Sequence, residues 1–490
     1  MNAAERRAFP IRRTSVMAAG ILALTALRLS ASELHAGAAS VGITPKLPVV
    51  LAGHKETKIA KTAGSPLAAT ALALESREGD QTLDQAILVA CDLVTIPDQV
   101  SLAVRDRLRQ RLPDFDSQKL ILSATHTHTA PVMEDGYYKI PKQGVTQPGE
   151  YSAFLIDRVT QAAEKAWRSR TPSKVGWGLG HAVVAHNRRM IYDDGRAEMY
   201  GATSRPDFRG VEGVEDHGVE VLFIWDATGK LRATAVNVAC PSQELQAEII
   251  VDADFWGPVR ETLRARHGAD LVVLGWAGAS GDQSPRVLYR QRAEDRMRQL
   301  RKRSRIEEIA ARIVDAWDEA YEGANRERIA GARLVHKIER LALSPRLVTE
   351  AEAASAVAEL KKLSQSPTNT PDRQSLIDQQ QAIIDRRRRE QNGPTEPYPT
   401  EIHVLRLGDV AIATNPFELF TQFGIQIKGR SRALQTFLIQ LAGSGSYVPT
   451  ESALRAGGYS AGLESNRISP KGGLELVDGT VEAINALWSK

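Results

Sequence analysis

The sequence predicts an α/β protein, a mixed β-sheet core with flanking helices and an inserted helical hairpin. Three observations carry this. From about Val41 strand-like and helix-like segments alternate. "QAILVACDLVTI" (85–96), "DQVSLAVRDRLRQRL" (98–112) and "KLILSATHT" (119–127) have the order and length of a βαβ unit. "VEVLFIWDATGKLRATAVNVA" and "EIHVLRLGDVAIAT" read as hairpins turning at Asp226–Gly229 and Gly408–Asp409, so antiparallel pairs share the architecture.

The N-terminus reads as an export signal. "RRAFPIRRTSVMAAGILALTALRLSA" joins a basic stretch to an apolar core from Val16 to Leu27, followed by small residues. That core is too short to span a bilayer, so no transmembrane segment is expected. Arg12 and Arg13 directly before it suit twin-arginine export, which carries folded proteins. The expected division is a signal over 1–38 and one catalytic domain over 39–490, destined for the periplasm or the exterior of a bacterium. Only Cys91 and Cys240 meet that oxidising compartment, so no disulfide framework is expected, although one bridge between them is open.

The 490 residues are 42% hydrophobic and 25% charged, enough for a sizeable core. A net charge of +4, with both signs interleaved over most of the chain, does not imply a nucleic-acid partner. The basic run from Arg286 to Arg305 precedes "IEEIAARIVDAWDEAY", where Ile306, Ile309, Ile313, Trp317 and Tyr321 share one helical face. The charges are therefore expected to coat an exposed helix side, with an anionic ligand as the other reading. Residues 349–394 open with a capping box, Thr349 to Glu352, and are rich in helix formers. They are expected to form a helical hairpin turning at "SPTNTP". No internal repeat or linker divides the chain.

Chemistry is sought at strand ends, where open α/β sheets place their sites. "SATHTHTAP" (123–131) puts His126 and His128 two apart at such an end, so both can face one ligand or one metal. Hydrogen-bonded loop histidines are the other reading. Glu418 follows the apolar "DVAIAT" and could cap a helix or bind a metal. Tyr447 in "SYVPT" could be a core aromatic or a ligand, and Ser284 in "GASGDQSP" a plain loop serine or a site residue. Walker, Rossmann and zinc-ribbon motifs are absent from the sequence.

Taken in order, these stretches resemble the neutral, non-lysosomal ceramidases. "LSATHTHTAP" is similar to that family's histidine signature, and "ASVGITP", "LAGH" and "SPLAATALALE" to its opening. "HNRRM" (186–190), "AGASGDQSP" (277–285), "NPFELF" (415–420) and "SYVPT" (446–450) follow in the family's order. The resemblance covers the catalytic domain, with no counterpart of the family's immunoglobulin-like domain expected. It implies hydrolysis of the amide of an N-acyl-sphingosine by water activated on a single Zn²⁺. It also implies metal ligation by His126, Glu418 and Tyr447, substrate contact by His128 and Arg188, and a catalytic-site role for Ser284. These residue types suit zinc, whose catalytic sites keep one position for water.

One departure stands out. The family's second zinc histidine lies in a segment that here reads "NVACPSQ" (237–243), without histidine. Cys240 falls at the ligand position with a one-residue gap, and a thiolate binds zinc well. A small buried thiol is the competing reading, and His217, Gln243 or a lost metal are further ones. Asp254 in "VDADFWGPVR" is expected near the site. The expected function is an exported zinc-dependent amidohydrolase acting on an N-acyl lipid. Two others stay open: a hydrolase of a polysaccharide or N-acetylated glycan using Asp254 and Glu418 as acid and base, and a metal-free binding pseudoenzyme.

Overall fold

Alternate residues of the inner strands serve two different cores. Along Gln81–Cys91, Ile87, Val89 and Cys91 pack into one cluster while Ala86, Leu88 and Ala90 pack into another. Gly218–Asp226 does the same: Val219, Val221, Phe223 and Trp225 face helices, and Leu222 and Ile224 face a second sheet. Such strands are buried on both sides, which is why they read as unbroken apolar runs rather than as alternating patterns. The computed structural model describes residues 32–365, 371–393 and 395–489.

The larger sheet has nine strands and the smaller four. They pack face to face through Leu72, Leu88, Ile224 and Trp276 of the first and Leu405, Ile412 and Phe437 of the second. Helices Asp98–Arg111 and Pro148–Arg168 cover half of the larger sheet's outer face, and Trp256–His267 and Arg305–Ala324 the other half. Thr421–Arg430 and Pro470–Ala486 cover the smaller sheet. The result is a four-layer α/β/β/α sandwich. Glycine permits one close approach in it: a Cβ on Gly178 or Gly180 would lie 2.4 or 1.9 Å from the backbone oxygens of Ala320 and Ala316.

Most strand pairs are antiparallel, and the predicted hairpins turn at Gly229 (φ 85°) and Gly408 (φ 61°). Three larger pairs are parallel, each bridged by a helix: Gln81–Cys91 with Leu120–Ala124, Leu231–Val238 with Val272–Ala277, and Val410–Thr414 with Gln435–Ile439. The first is the predicted βαβ unit. The candidate motifs leave the carboxyl ends of these pairs: "THTH" after Ala124, "ACPSQ" after Val238, "GASGDQS" after Ala277, and "NPFELF" after Thr414. The expectation that sites gather at strand ends therefore applies to all three pairs at once.

Helices Glu350–Gln365 and Pro371–Asn392 form the expected insertion, placed between the paired strands Leu334–Leu343 and Tyr398–Leu407. Glu352 and Thr349 make the reciprocal capping-box bonds, at 2.9 and 3.2 Å. Ile309, Ile313 and Trp317 are buried on Arg305–Ala324, with Ile306 and Tyr321 packed against them, as the helical face predicts. Glu33–Gly42 is an inner strand of the larger sheet, so the fold begins before the expected boundary at residue 39. The apolar core of the expected signal lies outside the described residues. Among the described residues no helix is long and apolar enough to cross a membrane. Cys91 and Cys240 are both free and buried in different clusters, so the open bridge does not form.

Candidate active site

His126 and His128 converge, but not as neighbours on a strand. The strand ends at Ala124, and His126 takes a left-handed backbone conformation, φ 66°, uncommon for a side chain with a Cβ. Thr125 N and Thr127 N bond the carbonyls of Cys91 and Leu93 on the adjacent chain, which fixes the turn. Below it Arg260 holds Asp92 through two bonds of 2.6 and 2.9 Å, and Asp92 also accepts from Thr125 Oγ1 at 3.3 Å. The turn brings Nε2 of His128 to 3.3 Å from Nε2 of His126.

Glu418 reaches the same point from the other sheet, its Oε2 3.3 Å from Nε2 of His126. It does not cap the following helix by side-chain bonding. Instead Glu418–Leu419 pairs in parallel with Tyr447–Val448, placing Glu418 beside Tyr447. Burial pushes the Glu418 carboxyl up, but His126, Arg188 and the Tyr447 hydroxyl together hold it below the usual carboxylate range. Burial and the Glu418 charge push the Tyr447 phenol well above its ordinary value, against the pull of Arg188.

Arg188, buried, ties the other motifs together. Its Nη2 donates to Gly281 O at 2.9 Å and Tyr447 OH at 3.1 Å, and its Nη1 to Gln243 Oε1 at 3.4 Å. Burial works against its charge, but the facing Tyr447, Tyr200 and Glu418 outweigh it and hold the guanidinium charged. His186 and Asn187 pair with Ser284 and Gln283, which sets Arg188 next to the "GDQS" loop. Asp282 accepts from Asn187 Nδ2 at 2.8 Å and from Thr421 N at 2.9 Å. Gly281 lies so close to the Glu418 carbonyl that a Cβ there would come within 2.4 Å of it. Ser284 Oγ accepts from Tyr200 OH at 3.3 Å and from Arg286 N at 3.1 Å.

The hydrogen-bond partners of these side chains limit what the cluster can hold. Nδ1 of His126 donates to Val94 O at 2.8 Å, so in the neutral ring Nε2 carries the lone pair. Gln243 Oε1 accepts from Arg188, so its amide NH₂ faces Nε2 of His128 at 3.2 Å, making that nitrogen an acceptor too. Burial, followed by the charges of His126, His54 and Arg188, pushes the His128 imidazole well below its ordinary value, so it is neutral. Nε2 of His126 thus lies 3.3 Å from Nε2 of His128 and 3.3 Å from a Glu418 oxygen. They repel unless a proton or a metal ion lies among them. Among the described residues no group of three or more His, Cys, Asp and Glu side chains forms a metal cage. With the Tyr447 oxygen, His126 and Glu418 supply three donors, the number that a catalytic zinc takes from protein. The residues present therefore fit such an ion.

No protein-family model matches the chain. Over 148 residues, 30% of this chain, it is 28% identical to the neutral ceramidase of Pseudomonas aeruginosa, and the match spans 21% of that relative's length. The crystal structure of neutral ceramidase from Pseudomonas aeruginosa is similar over 93% of this chain and 74% of that one, with a TM-score of 0.67 at 18% identity. A ceramidase complexed with C2 is similar over 93% and 75%, with a TM-score of 0.64 at 17% identity. The chain shares the fold of these two ceramidase structures.

The structure departs from the sequence expectation at Cys240. The thiol packs with Val184, Val238 and Phe255 and donates to Val184 O at 3.5 Å. Burial, with Asp254 and Glu244 nearby, pushes it well above its ordinary value. It shares no hydrogen bond with His126, Glu418 or Tyr447 among the described residues. Gln243 is the residue of "NVACPSQ" that enters the cluster. His217 pairs with Glu215 at 3.3 Å instead. Asp254 spends both oxygens on backbone amides, those of Leu245 at 2.7 Å and Phe255 at 2.8 Å, so it braces the loop that carries Gln243.

Tyr200 and His54 join the cluster without a predicted role. Tyr200, at φ 57°, bonds both Ser284 and Gln243. Burial raises its phenol, but Arg188 and the Ser284 hydroxyl pull it net below its ordinary value. His54 donates from Nε2 to His128 O at 2.8 Å. The "LAGH" stretch was a signal for His54. Tyr200 left none, since no spacing joins it to Ser284.

Proposed function

We propose that this chain is an exported, metal-dependent amidohydrolase that cleaves the amide of an N-acyl lipid of the ceramide type. The observation carrying this reading is the convergence of the His126, His128 and Glu418 acceptors, with Tyr447 and Arg188 beside them. The likeness to neutral ceramidase supports the substrate class. His126, Glu418 and Tyr447 would hold one zinc ion, which when bound supplies a Lewis acid and lowers the pKa of bound water.

The chain's own groups account for the rest. Neutral His128 has an imidazole able to take a proton from an attacking water or to pass one to the leaving amine. The buried guanidinium of Arg188 provides fixed positive charge where negative charge develops on the carbonyl oxygen. Ser284, with its hydroxyl held by Tyr200, positions substrate by hydrogen bonding. Tyr459, its ring 5.9 Å from that of Tyr447, and the exposed Tyr137 give the mouth an aromatic rim suited to an alkyl chain.

The test is hydrolysis of an N-acyl-sphingosine by the purified chain, with and without a strong zinc chelator. Turnover that stops in chelator and returns with zinc is expected. Undiminished turnover in chelator, or none on any N-acyl lipid with zinc bound, overturns the reading. Export is tested separately, by locating the protein in fractionated cells and sequencing its mature N-terminus.

A further inference from the structure

The helix Gln291–Leu300 is built the wrong way round for a protein in water. None of its residues is buried, yet it carries an apolar stripe. Tyr289 just before it, then Ala293, Met297 and Leu300, recur at the spacing of one helical face and all point to solvent. Tyr289, Met297 and Leu300 are 50%, 41% and 63% exposed. The acidic residues are turned inward instead. Glu294 accepts from Arg312 at 2.7 Å and from Arg290 at 3.0 Å, and Asp295 from Arg298 at 3.3 Å.

Charge around the stripe is predominantly positive, although Arg301 and Arg303 pair with Glu308 and Arg305 pairs with Glu244. Residues 286–305 hold nine basic side chains (Arg286, Arg290, Arg292, Arg296, Arg298, Arg301, Lys302, Arg303 and Arg305) against two acidic ones, Glu294 and Asp295. Arg292 and Arg296 run along one flank of the stripe, and Lys302 follows its end. None of these three pairs with a carboxylate among the described residues. An outward apolar stripe within a largely cationic field, on a helix tied to its neighbour by the Arg312–Glu294 ion pair, matches an anionic lipid surface.

The location adds a second reason. A groove of about 500 Å3 runs from Gln243, beside His128, past Arg286 to Arg298 on this helix and to Arg305. The helix that carries the stripe thus contributes Arg298 to a groove that Gln243 of the candidate site also lines. We propose that Tyr289–Leu300 is an interfacial anchor that seats the protein on anionic membrane lipid, with the groove facing the bilayer.

The experiment needs no turnover, so it is independent of the proposed catalytic function. The full chain is sedimented with vesicles of phosphatidylcholine alone and of phosphatidylcholine doped with phosphatidylglycerol. Binding to the anionic vesicles only, weakened by salt, is expected. Met297→Asp/Leu300→Asp and, separately, Arg292→Glu/Arg296→Glu should each lower it at least about tenfold while thermal unfolding is unchanged. The two pairs of substitutions test the apolar and the electrostatic part independently. Equal binding to both vesicle types, no binding to either, or variants that bind like wild type overturns the proposal. So does a dimer in solution that Met297→Asp/Leu300→Asp dissociates, since the stripe would then be covered by a second copy.

Discussion

The side-chain amide of Gln243 stands 3.2 Å from Nε2 of His128, and its carbonyl oxygen is held by Arg188 and Tyr200 at 3.4 Å each. One uncharged side chain thus sets the tautomer of a histidine and the aim of an arginine. Gln243→Leu keeps the volume and removes both bonds. Its kcat/KM on an N-acyl-sphingosine should fall roughly 10- to 100-fold. Zinc content should change little, because Gln243 is not among the three proposed ligands. Steady-state kinetics with elemental analysis checks both halves.

Gly281→Ala tests the contact between the "GDQS" loop and the Glu418 segment. The added Cβ would meet the Glu418 carbonyl at 2.4 Å, with backbone on both sides. A loss of about 1–3 kcal/mol in chemical denaturation is expected, together with weaker zinc binding as Glu418 is displaced. Gly149→Ala, on a helix where a Cβ meets nothing within 4 Å, is the control and should be neutral or slightly stabilising.

Acid should expose a pair remote from the site. A hydrogen bond with His403, then the charge of Arg105 at 2.9 Å, outweigh burial and hold the Glu401 carboxyl at about 2 instead of 4.5. A depressed folded-state pKa gives stability that is full above the unfolded value and lost as pH falls through the folded one. Wild type should therefore lose on the order of 2 kcal/mol more than Glu401→Gln between about pH 5 and pH 2. Urea denaturation at the two pH values measures the difference.

Much of this was legible because apolar pattern and turn chemistry are local. The first βαβ unit, both hairpins and the Thr349 capping box follow from short windows. His126, Glu418, Tyr447, Arg188 and Ser284 were singled out by their motifs and lie together in the fold, although the strand geometry invoked for the two histidines was replaced by a left-handed turn at His126. What was not legible depends on three-dimensional closure. Whether Cys240 or Gln243 enters the site is decided by which way the chain leaves Val238, and Val184 and Phe255 draw the thiol into the apolar core. Tyr200 meets Ser284 through folding alone, 84 residues apart in sequence. The outward stripe of Tyr289, Met297 and Leu300 could not be read from the basic run, because an apolar face at helical spacing ordinarily marks the side that packs.

The most direct measurement is the zinc content of the purified wild-type chain and of Glu418→Gln, by elemental analysis after dialysis against metal-free buffer. Three converging donors predict about one zinc per wild-type chain, as a catalytic site requires. Removing the carboxylate predicts near-complete loss of that zinc and of hydrolysis together, with the fold retained. Zinc undiminished in Glu418→Gln, or a wild-type chain that hydrolyses N-acyl lipid without metal, would contradict a metal centre at His126, Glu418 and Tyr447.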